Sequence, residues 1–298
     1  MRTAILALAL LLGASQAAQS KLRVVTTSED LAYIARRVGG DRVRVTSLSS
    51  GDQDLHLVEP RPSMVMKVKR AHVFVRIGLD IDMWADALLA AARNKRVAFG
   101  SPGYVDASVG MPLMQIPKGK VDGSMGDIHV YGNPHYWLDP LNSDDMSKNI
   151  MDGLCRVEPE HCSEFKANRR AFLEDLVTKL REWGKIMAPH KGARLVTYHN
   201  SWVYFARRFD LEIVGNIEPK PGIPPTPSHL RKLIDTMEST GAKVIMSEVY
   251  FPKRGPQKVA AKTGAKVLSV PSSVGGLKGI DTIFDLFDHI TSRLAESL

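Results

Sequence analysis

Short runs rich in β-branched residues alternate with helical segments along most of the chain, in two separate series. The first series has strand-like runs at 22–27, 42–48, 71–77 and 95–99, with helical segments at 30–38 and 81–92. The second has runs at 193–199, 211–215, 242–248 and 265–270. Such alternation predicts parallel sheets with helices on both faces. The chain of 298 residues also exceeds what one hydrophobic core usually holds. We therefore expect an α/β protein of two doubly wound lobes.

A long helical pattern separates the two series. Residues 140–156 favour a helix, and in 163–187 apolar residues such as Phe165, Phe172, Leu176 and Trp183 recur at helical spacing. The predicted organisation is an N-terminal lobe over 18–150, a connecting helix over 151–190 and a C-terminal lobe over 191–298. A helix of this length makes a stiff connector.

The first 17 residues are typical of a secretory signal peptide. Arg2 precedes an apolar core over 4–12, and the small residues Ser15 and Ala17 flank Gln16 at a cleavage site. The apolar stretch is far shorter than the roughly 20 residues that cross a bilayer. No cysteine follows the cleavage site, so we expect a soluble periplasmic protein without a lipid anchor.

Two compositional features narrow the function. Cys155 and Cys162 are the two cysteines, and in an oxidising compartment they predict one local structural disulfide. The formal net charge is +8, but basic residues are scattered among acidic ones and no aromatic-interleaved basic face is present. Nucleic-acid binding is therefore disfavoured.

Three segments far apart in the chain each carry one histidine: His56 in GDQDLHLVEP, His135 in NPHYWLDP and His199 in TYHNSW. His56 follows one predicted strand and His199 ends another. Ligands of open α/β sheets bind at the carboxyl ends of strands. We expect a cleft with His56 and His135 on one wall and His199 on the other. Imidazole nitrogen suits Zn, Cu, Ni and Fe, so the trio predicts a transition-metal site.

At these segments the chain resembles the cluster A-I solute-binding proteins, which are periplasmic zinc and manganese receptors of ABC importers. The resemblance runs from about residue 22 to 298 and also includes AHVFVRIGLDIDMW, NRRAFLEDL and TGAKVLSVPSSVGG. It implies two lobes bridged by one long helix, with His56, His135 and His199 at three ligand positions. It also implies a receptor, expected to be a monomer, that delivers its ion to an inner-membrane permease, with a periplasmic metallochaperone as a further potential partner.

The fourth ligand position departs from the family pattern. Many members carry an aspartate in the loop after the last strand, but LSVPSSVGGLKG offers no carboxylate before Asp281. Glu248 ends a predicted strand and is the preferred replacement, either as a ligand or as a hydrogen-bond partner of a histidine. Asp281 and water are the other candidates. Three imidazoles and one carboxylate favour Zn²⁺ over Mn²⁺.

Further residues have roles left open by the sequence. Glu59 and Asp139 lie close to His56 and His135 and either orient those rings or cap the helices that follow. The segment 117–133, with Asp122, Asp127 and His129, is either a metal-collecting loop or a plain connector.

Two other functions compete with the receptor. Three histidines and a water also hold catalytic zinc, and Glu248 could then serve as the general base of a hydrolase. The chain contains no HExxH sequence, which disfavours that alternative. A metal-binding adhesin or surface-interaction module is also compatible with the expected fold.

Overall fold

The computed structural model describes residues 21–119 and 129–298. The predicted signal peptide, Asp122 and Asp127 lie outside the described residues. The first sheet has four parallel strands in the order β2-β1-β3-β4. These are β1 (Leu22–Thr26), β2 (Val43–Ser47), β3 (Val73–Arg76) and β4 (Tyr104–Asp106). The helices among them are α1 (Glu29–Gly39), α2 (Pro62–Arg70) and α3 (Trp84–Ala92).

The second sheet repeats the arrangement, with four parallel strands in the order β6-β5-β7-β8. They are β5 (Arg194–Thr197), β6 (Glu212–Asn216), β7 (Val244–Glu248) and β8 (Lys266–Val270). Its helices are α6 (Val203–Phe209), α7 (Pro227–Thr240), α8 (Arg254–Thr263) and α9 (Ile283–Ala295). In both sheets the strand that begins the series has a central position. The predicted α/β fold with two parallel sheets is confirmed.

In the chain, α4 (Ser143–Val157) and α5 (Cys162–Met187) lie between the last strand of the first sheet and the first strand of the second. The 26 residues of α5 span roughly 39 Å at the α-helical rise. Its predicted apolar face is buried, and polar groups tie it to both lobes. Arg37 of α1 pairs with Asp175 at 2.6 Å, and the Trp183 indole N–H donates to Asp288 of α9 at 2.7 Å. The helix therefore packs against both halves of the molecule.

The lobes also meet directly, near the carboxyl ends of their strands. The buried carboxylate of Asp30, in α1, accepts hydrogen bonds from the Ser273 hydroxyl and, at 3.1 Å, from the Val274 backbone N–H. The Trp137 indole N–H donates to the Ser272 carbonyl at 2.9 Å. Gly51 lies so close to the Val274 carbonyl that a Cβ would be 1.9 Å from that oxygen. The loop after β8 is thus held against the first lobe.

The prediction of a strand at 95–99 was wrong, because these residues form turns. Residues 94–103 form turns in which the Val97 N–H donates to the Asn94 carbonyl and the Gly103 N–H to the Arg96 carbonyl. Val97 is buried, which explains its apolar character without a strand. The fourth strand is instead Tyr104–Asp106, whose three residues are too short a signal to recognise in the sequence.

The predicted disulfide between Cys155 and Cys162 is confirmed, and it joins the end of α4 to the first residue of α5. Among the described residues, no helix combines the length and apolar character needed to cross a membrane.

Candidate metal centre

Three loops bring His56, His135 and His199 together. His56 lies in a short 3₁₀ turn (Leu55–Leu57) after β2, His135 directly precedes another 3₁₀ turn (Tyr136–Leu138), and His199 lies two residues beyond β5. Their ring centroids are 5.2 to 5.3 Å apart. One nitrogen from each ring lies within 4.8 Å of the others. The convergence expected from the sequence is present.

Each ring is held through its Nδ1 atom by an oxygen that can only accept a hydrogen bond. Asp54 Oδ1 lies 2.7 Å from Nδ1 of His56, and Asn133 Oδ1 lies 2.9 Å from Nδ1 of His135. Glu218 Oε2 lies 2.7 Å from Nδ1 of His199. In each neutral ring the proton is therefore on Nδ1 and the lone pair on Nε2. This outer hydrogen bonding fixes tautomer and orientation as metal sites require.

Two orienting oxygens also bind backbone. Asp54 Oδ1 accepts from the His56 backbone N–H at 2.9 Å, and Asn133 Oδ1 accepts from the His135 backbone N–H at 3.0 Å. The Asn133 amide donates to the Asn200 carbonyl at 2.7 Å, so this residue also links the first-lobe wall to the loop after β5. An acceptor two residues before a histidine was a local sequence signal for these partners. Glu218 had none, because it is 19 residues from His199.

The electrostatics differ between the rings. Burial holds the pKa of His135 well below its usual value, and the neighbouring His199 and His56 lower it further. Burial also disfavours protonation of His199, but the hydrogen bond to Glu218 and the charge of Glu248 outweigh it and raise the pKa of His199. The second-lobe wall, with the carboxylates of Glu218 and Glu248 beside His199, is therefore the more negatively charged side of the site.

Glu248 ends β7 and is almost completely buried. Its Oε1 accepts a hydrogen bond from the Ser201 hydroxyl at 2.6 Å, and its Oε2 has no hydrogen-bond partner in the described structure. Burial raises its pKa to about 7, although His199 and Ser201 oppose that shift. Glu248 lies outside the group of three histidines whose ligating atoms are mutually within 4.8 Å.

The other candidate residues are placed differently. Asp281 is exposed, and its backbone N–H donates to Asp285 at the start of α9. Glu59 is also exposed. The carboxylate beside the His56 ring, which the sequence predicted to be that of Glu59, is that of Asp54. Asp139 is fully buried, but its carboxylate binds the Arg208 guanidinium at 2.7 Å and caps the following 3₁₀ turn. Asp139 therefore stabilises the turn that follows it and binds Arg208 of α6, whereas Asn133 orients the His135 ring.

His129 is the one residue of the predicted loop trio that the structure describes. Its Nε2 lies 3.1 Å from Nε2 of His56, and the ring centroids are 5.2 Å apart. Burial, reinforced by His56 and His199, lowers the pKa of His129 to about 3. A neutral fourth imidazole therefore stands beside the three histidines.

Comparison with known proteins identifies the family. Residues 24–297 match the model of ZnuA, described as the periplasmic component A of a zinc-uptake complex. The chain belongs to this family. Members of the ZnuA family are substrate-binding proteins of ABC transporters, which work with an inner-membrane permease and an ATPase. The chain is thus an extracytoplasmic receptor for a divalent metal ion.

Similar proteins carry different metals in their names. The manganese-binding lipoprotein MntA of Halalkalibacterium halodurans is 26% identical, covering 93% of this chain and 88% of that protein. The high-affinity zinc uptake system protein ZnuA of Brucella abortus is 28% identical over 164 residues, or 55% of this chain and 48% of that protein. A crystal structure of ZnuA superposes with a TM-score of 0.78 at 25% identity, covering 93% and 99% of the two chains.

Proposed function

We propose that this receptor binds Zn²⁺ with high affinity through Nε2 of His56, His135 and His199, and delivers it to the importer's permease. The observation that carries the proposal is that all three Nδ1 atoms are engaged by acceptors, which turns three Nε2 lone pairs into the same space. Catalytic zinc sites are held by three protein ligands and structural zinc sites by four, so three converging imidazoles suffice to hold the ion.

The donor set favours zinc among the metals that similar proteins bind. Manganese prefers oxygen donors and lies lowest in the affinity series of divalent first-row metals. Here the converging atoms are imidazole nitrogens. Copper and nickel would also bind this set, so selection in the cell depends on metal supply and geometry as well.

Carboxylates around the histidines supply the negative charge that a divalent cation needs. Asp54 and Glu218 bind two of the rings, and Glu248 interacts electrostatically with His199. Three neutral imidazoles leave both charges of the ion uncompensated, so nearby anions stabilise the bound state. Glu248 remains a candidate ligand, because its free Oε2 could turn toward the ion.

The proposal also includes the location of the receptor, its monomeric state and the source of its ion. Export through residues 1–17 would place a monomeric receptor in the periplasm, where a metallochaperone could load it. The hydrolase alternative needs a water activated by zinc and a base beside it, for which Glu248 is the candidate.

The decisive experiment is metal analysis of the protein isolated from the periplasm, followed by titration with a chelator of known zinc affinity. We expect one zinc per chain and no hydrolysis of ester, peptide or phosphate substrates. Protein that takes up no stoichiometric zinc, or that turns over one of these substrates, would contradict the proposal.

A further inference from the structure

A fourth histidine faces the metal centre from the solvent side. His129 belongs to the segment before His135, and its Nε2 is 3.1 Å from Nε2 of His56. Two nitrogens bound to one tetrahedral zinc at 2.0–2.1 Å are separated by roughly 3.3 Å. The spacing of these two atoms therefore matches that of two ligands of one ion.

The position of His129 is held by bonds to a strained turn. The Leu79 backbone carbonyl accepts a hydrogen bond from the His129 ring, and the Asp80 carboxylate accepts one from the Val130 backbone N–H. Leu79 and Asp80 have φ angles of 53° and 69°, in the left-handed region that non-glycine residues rarely adopt. Strained backbone of this kind persists where surrounding contacts fix it, and it concentrates at ligand sites. His129 is thus a positioned side chain.

The hydrogen bonds also decide where the lone pairs point. Asp54 keeps the proton of His56 on Nδ1, so Nε2 of His56 carries a lone pair. Because Nε2 of His129 faces His56, the bond to Leu79 engages Nδ1 of His129. With both protons on Nδ1, two lone pairs face each other across 3.1 Å. They repel unless a cation lies between them.

We propose that His129 is the fourth ligand of the ion held by His56, His135 and His199. The inference rests on the proposed function and adds the residue that completes its tetrahedral site. The ring centroid of His129 is 6.3 Å from that of His135, about 1 Å more than the spacing within the trio. His129 lies outside the group of three histidines whose ligating atoms are mutually within 4.8 Å, so its Nε2 must move toward the other rings to reach the shared ion.

His129 also lines the side of the site that is open to solvent. A solvent-open cavity of about 410 Å³ is lined by His56, His129, Asp80, Met83 and Trp84. His135 and His199 are buried behind it. The ligand on the open side is the one whose release uncovers the ion without disturbing the other three.

The test counts imidazoles on bound zinc by X-ray absorption spectroscopy of the full mature protein. We expect four imidazoles on the zinc of the wild type. In His129→Ala we expect three imidazoles and one oxygen, with a zinc affinity at least about tenfold lower than that of the wild type. Glu248→Gln should keep four imidazoles, and His289→Ala, altered in α9 away from the site, should match the wild type.

Three imidazoles and a carboxylate in the wild type, or a His129→Ala protein with unchanged affinity and imidazole count, would overturn the assignment of His129. Failure of the proposed zinc-receptor function would give a different result. In that case the wild type would bind no zinc, or its zinc affinity would be the same in His135→Ala. Circular dichroism of each variant establishes that any loss is local.

Discussion

The two walls of the metal centre orient their histidines in different ways. On the first-lobe wall, His56 and His135 each take a hydrogen-bond acceptor from two residues earlier in the chain, Asp54 and Asn133. On the second-lobe wall, His199 depends on Glu218, which reaches it from beyond the neighbouring strand β6. One wall is organised by local turns and the other by the packing of a sheet.

This difference predicts how each wall tolerates change. A local turn keeps its acceptor beside its histidine even when the lobe shifts, because only one residue separates the two in the chain. The Glu218 contact exists only while β5 and β6 are paired. We therefore expect the first-lobe wall to survive partial loosening of the fold better than the second.

The largest effect should come from removing a ligand. His135→Ala should weaken zinc binding by orders of magnitude, because a buried imidazole is lost while the sheets remain folded. Competition with a chelator measures the affinity, and His289→Ala is the matched histidine control. Wild-type affinity in His135→Ala would break the assignment of the first-lobe wall.

Acid should have the next largest effect. Imidazole ligates only when neutral. The pKa of His135 lies well below its usual value, whereas the pKa of His199 is raised above the reference of about 6.5, so protons compete with zinc mainly at His199 as pH falls from about 7 to 5. Zinc affinity should drop steeply over this interval. Titrations at fixed ionic strength test it, and binding unchanged at pH 5 would indicate oxygen ligands instead.

Removing the orienting carboxylates compares the walls directly. Asp54→Ala and Glu218→Ala should each reduce zinc affinity by roughly 10- to 100-fold while the zinc ligands stay the same. Asp54→Ala should cost more, since Asp54 also binds the His56 backbone. Asp54→Asn, which keeps an acceptor oxygen, should cost less than Asp54→Ala. A larger loss for Glu218→Ala would reverse the comparison.

The contact between the lobes should show itself in stability. Burial raises the pKa of Asp30 to about 6 from 3.8. Because the folded-state pKa is the higher one, its stabilising contribution is full below about pH 4 and is lost as pH rises through 6. The difference corresponds to roughly 3 kcal/mol.

Asp30→Asn keeps one acceptor oxygen for the Val274 N–H, places an amide that donates beside the Ser273 hydroxyl, and cannot ionise. Relative to the wild type, this variant should therefore gain stability between pH 4 and pH 8, as measured by denaturant unfolding. A stability difference that stays constant with pH would remove the charge of Asp30 from the account.

The smallest effect on zinc should come from the disulfide. Cys155 and Cys162 lie at the junction of α4 and α5, away from both walls. Reduction should lower the free energy of unfolding by about 2–3 kcal/mol, from the closure entropy of the short loop. Zinc stoichiometry should be unchanged, so loss of zinc on alkylating the reduced protein would contradict the structural role.

The sequence alone determined the fold class, because the alternation of strands and helices is a local pattern. It also pointed to His56, His135 and His199, whose surrounding motifs are distinctive, and to the pairing of two cysteines close in the chain. The strand expected at 95–99 failed since a single buried Val97 in a turn has the same apolar signature as a strand.

Only the tertiary structure decided the surroundings of the histidines. Glu218 and Glu248 come to His199 through β6 and β7, and His129 comes to His56 through a strained turn at Leu79. Such contacts join residues tens of positions apart, and no local spacing encodes them. Sequence patterns specify what each segment forms, whereas the distances that place one side chain against another arise only when the segments pack.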